Sequence, residues 1–277
     1  MKKILVLIIV CALSVGTMFG LNFIENIPYR ELVYAGISAL YLIAGCIFLR
    51  LSTRKMSTVK YLSLKPLRLR DTFIVVWMLL GIISGSYLLT FLEIRFWALF
   101  DIEMTVSSFS GMSVDNVWMM IIAVGVIPAI FEELFFRGAV LSSFKDNGTV
   151  AALLVSGLFF FLLHGTPFGS LSAIFAGMSF GLLTLVTGSV FAAMLAHLIN
   201  NMLTYILHMY SEKLSVVGLE NMVVYALIFV FLLSAYAALS CIYKKFKKES
   251  VEKVTVYNEG ELVWKNQRRS KGKGAKD

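Results

Sequence analysis

Residues 128–138 read PAIFEELFFRG, and they place two adjacent carboxylates and a guanidinium within an otherwise apolar stretch. A charged side chain at the centre of a bilayer costs at least about 2.5–3.5 kcal/mol, so such residues are rare there and face a partner or a water-filled cavity. The apolar flanks of the stretch are typical of a membrane-spanning helix. Its charges therefore predict a functional site inside a membrane.

The spacing of the three charges separates their predicted roles. Glu133 and Arg137 are four residues apart and share one helix face, which favours an ion pair between them. Glu132 is rotated by about 100° from Glu133 around the helix axis, so it is free to point elsewhere. We interpret Glu132 as the candidate for chemistry. A purely structural role, in which the charges hold neighbouring helices together, is the alternative for Glu133 and Arg137.

The composition excludes an ordinary soluble domain. Of 277 residues, 58% are hydrophobic and only 15% are charged, and the mean hydropathy is +0.82. These values predict an all-α, polytopic bundle of transmembrane helices. The net charge of +8 is concentrated in 50–70 and 244–276, which lie beside apolar segments. That pattern indicates contact with anionic membrane lipid and not with nucleic acid.

Eight apolar segments predict eight spans in an integral membrane protein, expected in the plasma membrane. The basic loop 50–70 is predicted to be cytoplasmic and the acidic segment 93–115 external, which places both termini in the cytoplasm. The first segment also resembles a secretory signal, but we expect it to be retained because the topology depends on it. The transmembrane domain is predicted at 1–248, followed by a basic, flexible cytoplasmic tail at 249–277. The predicted spans are 4–21, 32–49, 72–92, 117–145, 149–164, 171–186, 190–210 and 222–243.

Further polar residues fall at a similar predicted depth. Counted from the turn at 145–148, Glu132 lies about 20 Å along the fourth span and His164 about 22 Å along the fifth. Counted from Gly188, His197 lies about 13 Å and Asn201 about 19 Å along the seventh, on one face. The two histidines, the asparagine and the carboxylate are thus predicted to line one cavity.

Three motifs in these spans resemble those of one family. EELFFRG at 132–138 is similar to the EExxFRG motif of the CAAX-protease and bacteriocin-processing family of intramembrane proteases, which includes CAAX prenyl protease 2 and Abi-like members. FFLLH at 160–164 resembles its FxxxH motif. TGS at 187–189, followed by HLINN at 197–201, resembles its third motif, HxxxN. The motifs occur in the family's order within a core at 117–205.

The resemblance implies an intramembrane endopeptidase that hydrolyses a membrane-associated protein or peptide. Glu132 would act as general base, and His164 would position and polarise the attacking water. His197 and Asn201 would donate hydrogen bonds to the oxyanion. The pair of Glu133 with Arg137 would fix the helix that presents Glu132.

The resemblance leaves the cofactor and two other functions open. Glu132, His164 and His197 would supply a zinc site with room for water, while a metal-free glutamate mechanism uses the same residues without Zn²⁺. A non-proteolytic membrane regulator or bacteriocin-immunity protein of the same fold is one alternative, although the motif residues are retained here. A proton-coupled transporter is the other, and the lack of matched halves weighs against it.

Overall fold

A computed structural model of the chain describes residues 2–24, 27, 29–53, 56–102, 117–165, 169–209, 223, 226–237 and 240. Within these ranges the regular structure is entirely helical, which confirms the predicted all-α class. The chain divides into two compact units, Met1–Ser234 and Ala235–Asp277. The second unit is described at 235–237 and 240 alone, so the predicted tail lies outside the described residues.

The described part of the chain confirms a polytopic helical membrane protein. Five of its helices are long and apolar enough to cross a membrane, and three shorter apolar helices accompany them. In chain order the helices are α1 (Lys2–Asn22), α2 (Arg30–Ser52), the short α3 (Thr58–Tyr61), α4 (Leu69–Ala98), α5 (Val117–Asn147), α6 (Thr149–Leu163), α7 (Ser170–Thr187), α8 (Val190–Met209) and α9 (Ala226–Ala237). The five helices long and apolar enough to cross a membrane are α1, α2, α4, α5 and α7.

The third span is longer than the sequence predicted. The prediction ended it at Leu92, before an acidic residue, but α4 continues to Ala98. Glu93 is only 5% exposed, and its Oε1 accepts hydrogen bonds from Ser170 Oγ at 2.7 Å and from the Leu171 backbone N–H at 3.1 Å. The helix continues past Glu93 because Oε1 of this carboxylate binds the N-terminus of α7.

The basic loop between α2 and α4 packs against one end of the bundle. Tyr61 is fully buried and shares a 2.6 Å hydrogen bond with Ser143 near the end of α5, and burial raises the pKa of its phenol. The Ser63 carbonyl accepts from the backbone N–H of Val190, which starts α8. Lys3 donates to the Ser143 carbonyl at 2.6 Å. The segments that the sequence assigned to one membrane side therefore meet at one end of the bundle.

Reporter fusions test which membrane face this end occupies. We expect a reporter fused after Leu64 or at the C-terminus to read cytoplasmic, and one near Asp101 to read external, because lysine and arginine are retained on the cytoplasmic side. Paired alkaline phosphatase and fluorescent-protein fusions at each site provide opposite signals and control for expression. An external reading after Leu64 would overturn the predicted orientation.

Candidate active site

The ion pair that the four-residue spacing predicts is present in α5. Arg137 Nη1 donates to Glu133 Oε1 at 2.8 Å, and both side chains are fully buried. Arg137 Nη2 also donates to the Gly177 carbonyl of α7 at 3.0 Å. The ion pair thus links successive turns of α5, and Arg137 also connects α5 to α7.

A close crossing of α6 and α7 brings the Gly177 carbonyl within hydrogen-bond distance of Arg137. A Cβ atom built on Gly177 would lie 2.8 Å from the Cα of Gly157, a distance that side chains do not tolerate. The two helices therefore meet backbone to backbone, as small residues allow in membrane bundles. This contact places the α7 carbonyl against the Arg137 guanidinium.

Aromatic rings surround the Arg137 guanidinium. Its central carbon lies 4.4 Å from the ring centroid of Phe160, 5.2 Å from that of Phe180 and 5.8 Å from that of Phe136. Ring faces attract a cation, and more strongly where water is excluded. The positive charge is therefore stabilised by the rings and by Glu133 in a site without bulk solvent.

Glu133 has a second partner that the sequence did not predict. His197 Nδ1 lies 2.7 Å from the same Oε1 atom, and the His197 ring stacks on Phe180 with a centroid distance of 5.2 Å. A carboxylate accepts hydrogen bonds only, so Nδ1 carries the proton and Nε2 is left for another contact. Glu133 therefore orients the histidine of α8 as well as the arginine of α5.

His164 caps the C-terminal end of α6 and is oriented by the last turn of that helix. Its Nδ1 lies 2.8 Å from the Phe160 carbonyl, so that nitrogen is the donor and Nε2 is left as an acceptor. The Phe160 ring lies 4.9 Å from the His164 ring and 5.6 Å from the His197 ring. The phenylalanine of the FxxxH stretch thus packs against both histidines and Arg137.

Asn201 is held by an irregularity in α5. Residues Ile121–Val126 of α5 are π-helical, and Pro128 follows them. Pro128 has no backbone N–H, so the Val124 carbonyl, four residues earlier, lacks its usual helical hydrogen bond. Asn201 Nδ2 donates to this carbonyl at 2.9 Å. One of its two amide hydrogens is thereby used, and the amide is fixed against α5 at Val124, eight residues before Glu132.

Glu132 faces a different side of α5 from Glu133. It lines a cavity of about 40 Å³ between α2 and α5, and its Oε2 is buried without a hydrogen-bond partner among the described residues. The rotation of about 100° between adjacent residues explains why the two carboxylates face different helices. The cavity is lined by Tyr34, Ala35, Ser38, Ala39, Leu42, Ala123, Ile127, Pro128, Phe131 and Glu132.

The predicted contact between Glu132 and His164 is not among the described hydrogen bonds. The structure instead gathers His164, His197 and Arg137 around Phe160, while Glu132 lies against α2. Depth along each helix was predicted from the sequence, whereas the rotation of each helix about its axis was not. That rotation decides which carboxylate binds His197.

The three predicted zinc ligands do not converge in this arrangement. Among the described residues, no three His, Cys, Asp or Glu side chains form a group that could hold a metal ion. Each histidine does present Nε2 with Nδ1 anchored, as metal-binding histidines do. As these side chains lie, however, Glu132 does not join them, so the donor set does not fit zinc. Zinc binding stays a prediction of the family resemblance.

Comparison with known families confirms the resemblance that the motifs predicted. Residues 114–203 match the family model described as Type II CAAX prenyl endopeptidase Rce1-like. The matched segment covers about a third of the chain and contains all six predicted site residues. Helices α1 and α2 lie outside it. No curated protein and no solved structure matches the chain. The protein is thus an integral membrane protein whose residues 114–203 are similar to a CAAX-type protease family.

Proposed function

We propose that the protein is an intramembrane endopeptidase that hydrolyses a peptide bond of a membrane-associated protein or peptide. The observation that carries this proposal is the unpartnered Oε2 of Glu132 on a cavity inside a bundle of apolar helices. A buried carboxylate oxygen without a donor is costly, and the cavity has room for the water that would satisfy it. A base and a water in contact are what peptide hydrolysis inside a membrane requires.

Glu132 acts as the general base in this proposal. It takes one proton from the water, whose oxygen attacks the peptide carbonyl carbon, and it returns the proton to the leaving amine when the C–N bond breaks. General acid–base catalysis of this kind contributes about 10²–10⁴-fold to the rate. His164 presents Nε2 as an acceptor and orients the substrate or a second water.

His197 and Asn201 stabilise the oxyanion. Asn201 has one amide hydrogen left after its bond to the Val124 carbonyl. His197 presents Nε2, which becomes a donor when the ring is protonated, and Glu133 at Nδ1 balances that positive charge. A hydrogen-bond donor in an oxyanion hole contributes about 2.7–4 kcal/mol to transition-state stabilisation.

Replacement of Asn201 by alanine tests the oxyanion role. We expect Asn201→Ala to lower kcat by about 10²-fold with little change in KM, because the oxygen carries charge only after the water has attacked. Asn200→Ala is a matched control, since it removes the neighbouring asparagine side chain on a different helix face, and its kcat should stay near that of the wild type. A raised KM with an unchanged kcat for Asn201→Ala would contradict the assignment.

His197 separates the metal-free mechanism from the zinc mechanism. We expect His197→Ala to lower kcat as Asn201→Ala does, and purified wild type and variant to contain equally little zinc by elemental analysis. Activity that survives exhaustive chelation would agree with the metal-free role. One zinc per wild-type chain, lost in His197→Ala, would show that His197 is a ligand and would refute the donor role.

Mass spectrometry of membrane peptides tests the proposed function directly. Cells that express the wild type and cells that express Glu132→Gln are compared for new peptide termini in the membrane fraction. We expect termini that appear with the wild type alone, and their sequences identify the substrate. Identical peptide sets in both cell lines would contradict proteolysis.

A further inference from the structure

The cavity beside Glu132 has one wall outside the segment that matches the family model. Tyr34 and Ser38, one turn apart on α2, line it together with Glu132, and they carry the polar side chains among its ten lining residues. The volume of about 40 Å³ exceeds the roughly 10–15 Å³ that one water needs. The site is therefore roomy enough for water and has the two to four polar partners that a buried water requires.

The hydrogen bonds of these side chains leave a place for that water. Ser38 Oγ donates to Ser14 Oγ at 3.3 Å, so the lone pairs of Ser38 stay available as acceptors. Tyr34 and Ser38 share the cavity with Glu132, yet no direct hydrogen bond joins either hydroxyl to the Glu132 carboxylate among the described residues. A bridging molecule between the hydroxyls and the carboxylate accounts for both observations.

One water would satisfy the polar groups of the cavity. It would donate one hydrogen to Glu132 Oε2 and the other to Ser38 Oγ, and it would accept the Tyr34 hydroxyl hydrogen. Its second lone pair would be left to attack the substrate carbonyl carbon. This arrangement supplies the donor that Oε2 lacks among the described side chains.

We propose that Tyr34 and Ser38 are positioning residues that hold the hydrolytic water on Glu132, an inference that rests on the proposed role of Glu132 as base. In the reaction the water oxygen forms the new C–O bond and one of its protons passes to Glu132. That proton then leaves with the amine as the C–N bond breaks. Tyr34 keeps its own proton throughout and serves only to orient the water.

Kinetics of hydroxyl deletions test the positioning role. We expect Tyr34→Phe and Ser38→Ala each to lower kcat by about 10-fold with KM unchanged, the effect of losing one hydrogen bond to the nucleophile. Tyr41→Phe is the matched control, because it removes a tyrosine hydroxyl from the same helix that faces Thr17 and not the cavity. An unchanged kcat in Tyr34→Phe and Ser38→Ala, with Glu132→Gln inactive, would overturn the positioning role and leave the proposed function standing.

A double-mutant cycle tests the same contact without any protease assay. We expect the melting-temperature shifts of Tyr34→Phe and Glu132→Leu to be non-additive in the double variant by about 2 °C or more, because both lose the same bridging water. The shifts of Tyr41→Phe and Glu132→Leu should add. If the wild type cleaves nothing, the proposed function fails, but this cycle still tests whether Tyr34 and Glu132 share a bridging water. Additive shifts for Tyr34→Phe and Glu132→Leu would refute that shared water.

Discussion

Glu132→Gln is expected to abolish peptide cleavage while the protein still folds and inserts. The substitution keeps the size of the side chain but replaces a proton acceptor by an amide that is not basic. Since the carboxylate starts the reaction by taking a proton from water, its loss removes the general-base contribution of about 10²–10⁴-fold and the geometry that depends on it. Oε2 of Glu132 has no protein partner in the described structure, so little folding energy depends on its charge.

Cleavage rate and melting temperature of the purified variant check this expectation. Glu133→Gln is the matched control, because it makes the same change at the adjacent residue, which is bound to Arg137 and His197. We expect Glu133→Gln to lower the melting temperature and the activity together. Residual activity of Glu132→Gln within a few-fold of the wild type would show that another group is the base.

Arg137→Ala is expected to have the largest effect on stability. The substitution leaves the Glu133 carboxylate in a buried site with His197 as the remaining described partner, and it empties the space between three aromatic rings. Breaking a buried ion pair costs about 3–5 kcal/mol. For a chain of this size that corresponds to a fall of about 6–20 °C in melting temperature.

Thermal unfolding in detergent measures the loss. Arg95→Ala is a suitable control, because Arg95 is exposed near the end of α4 and its contact with the Phe91 ring at 5.2 Å is the kind that contributes little at a surface. We expect its melting temperature to stay within about 2 °C of the wild type. An Arg137→Ala protein that melts like the wild type but is inactive would mean that Arg137 acts in the chemistry.

The sequence predicted the contacts that lie within one helix. Glu133 and Arg137 pair because residues four apart share a face, and this rule needs no knowledge of the tertiary structure. Phe160 and His164 share a face for the same reason. Five of the eight predicted spans coincide with helices that are long and apolar enough to cross a membrane, because apolar length can be read from the sequence.

For contacts between helices, the sequence predicted the depth of each side chain in the membrane but not the direction in which it points. The rise per residue placed Glu132, His164 and His197 at similar depths, but helix rotation decides which side chains meet. His197 meets Glu133, 64 residues away, and Glu132 meets the cavity beside Tyr34 and Ser38. The signal that was missed is the pair of hydroxyls one turn apart in the apolar α2, since polar side chains at this depth need partners.

Hydrolysis in water enriched in ¹⁸O tests the central claim most directly. Purified protein in lipid is incubated with a peptide substrate identified by membrane mass spectrometry, and the product carboxylate is examined for the label. We expect one ¹⁸O atom in the new C-terminal carboxylate with the wild type, and none above background with Glu132→Gln, because the base delivers a water oxygen to the carbonyl carbon. Equal labelling of the product by both proteins would contradict the assignment of Glu132 as the base of an intramembrane protease.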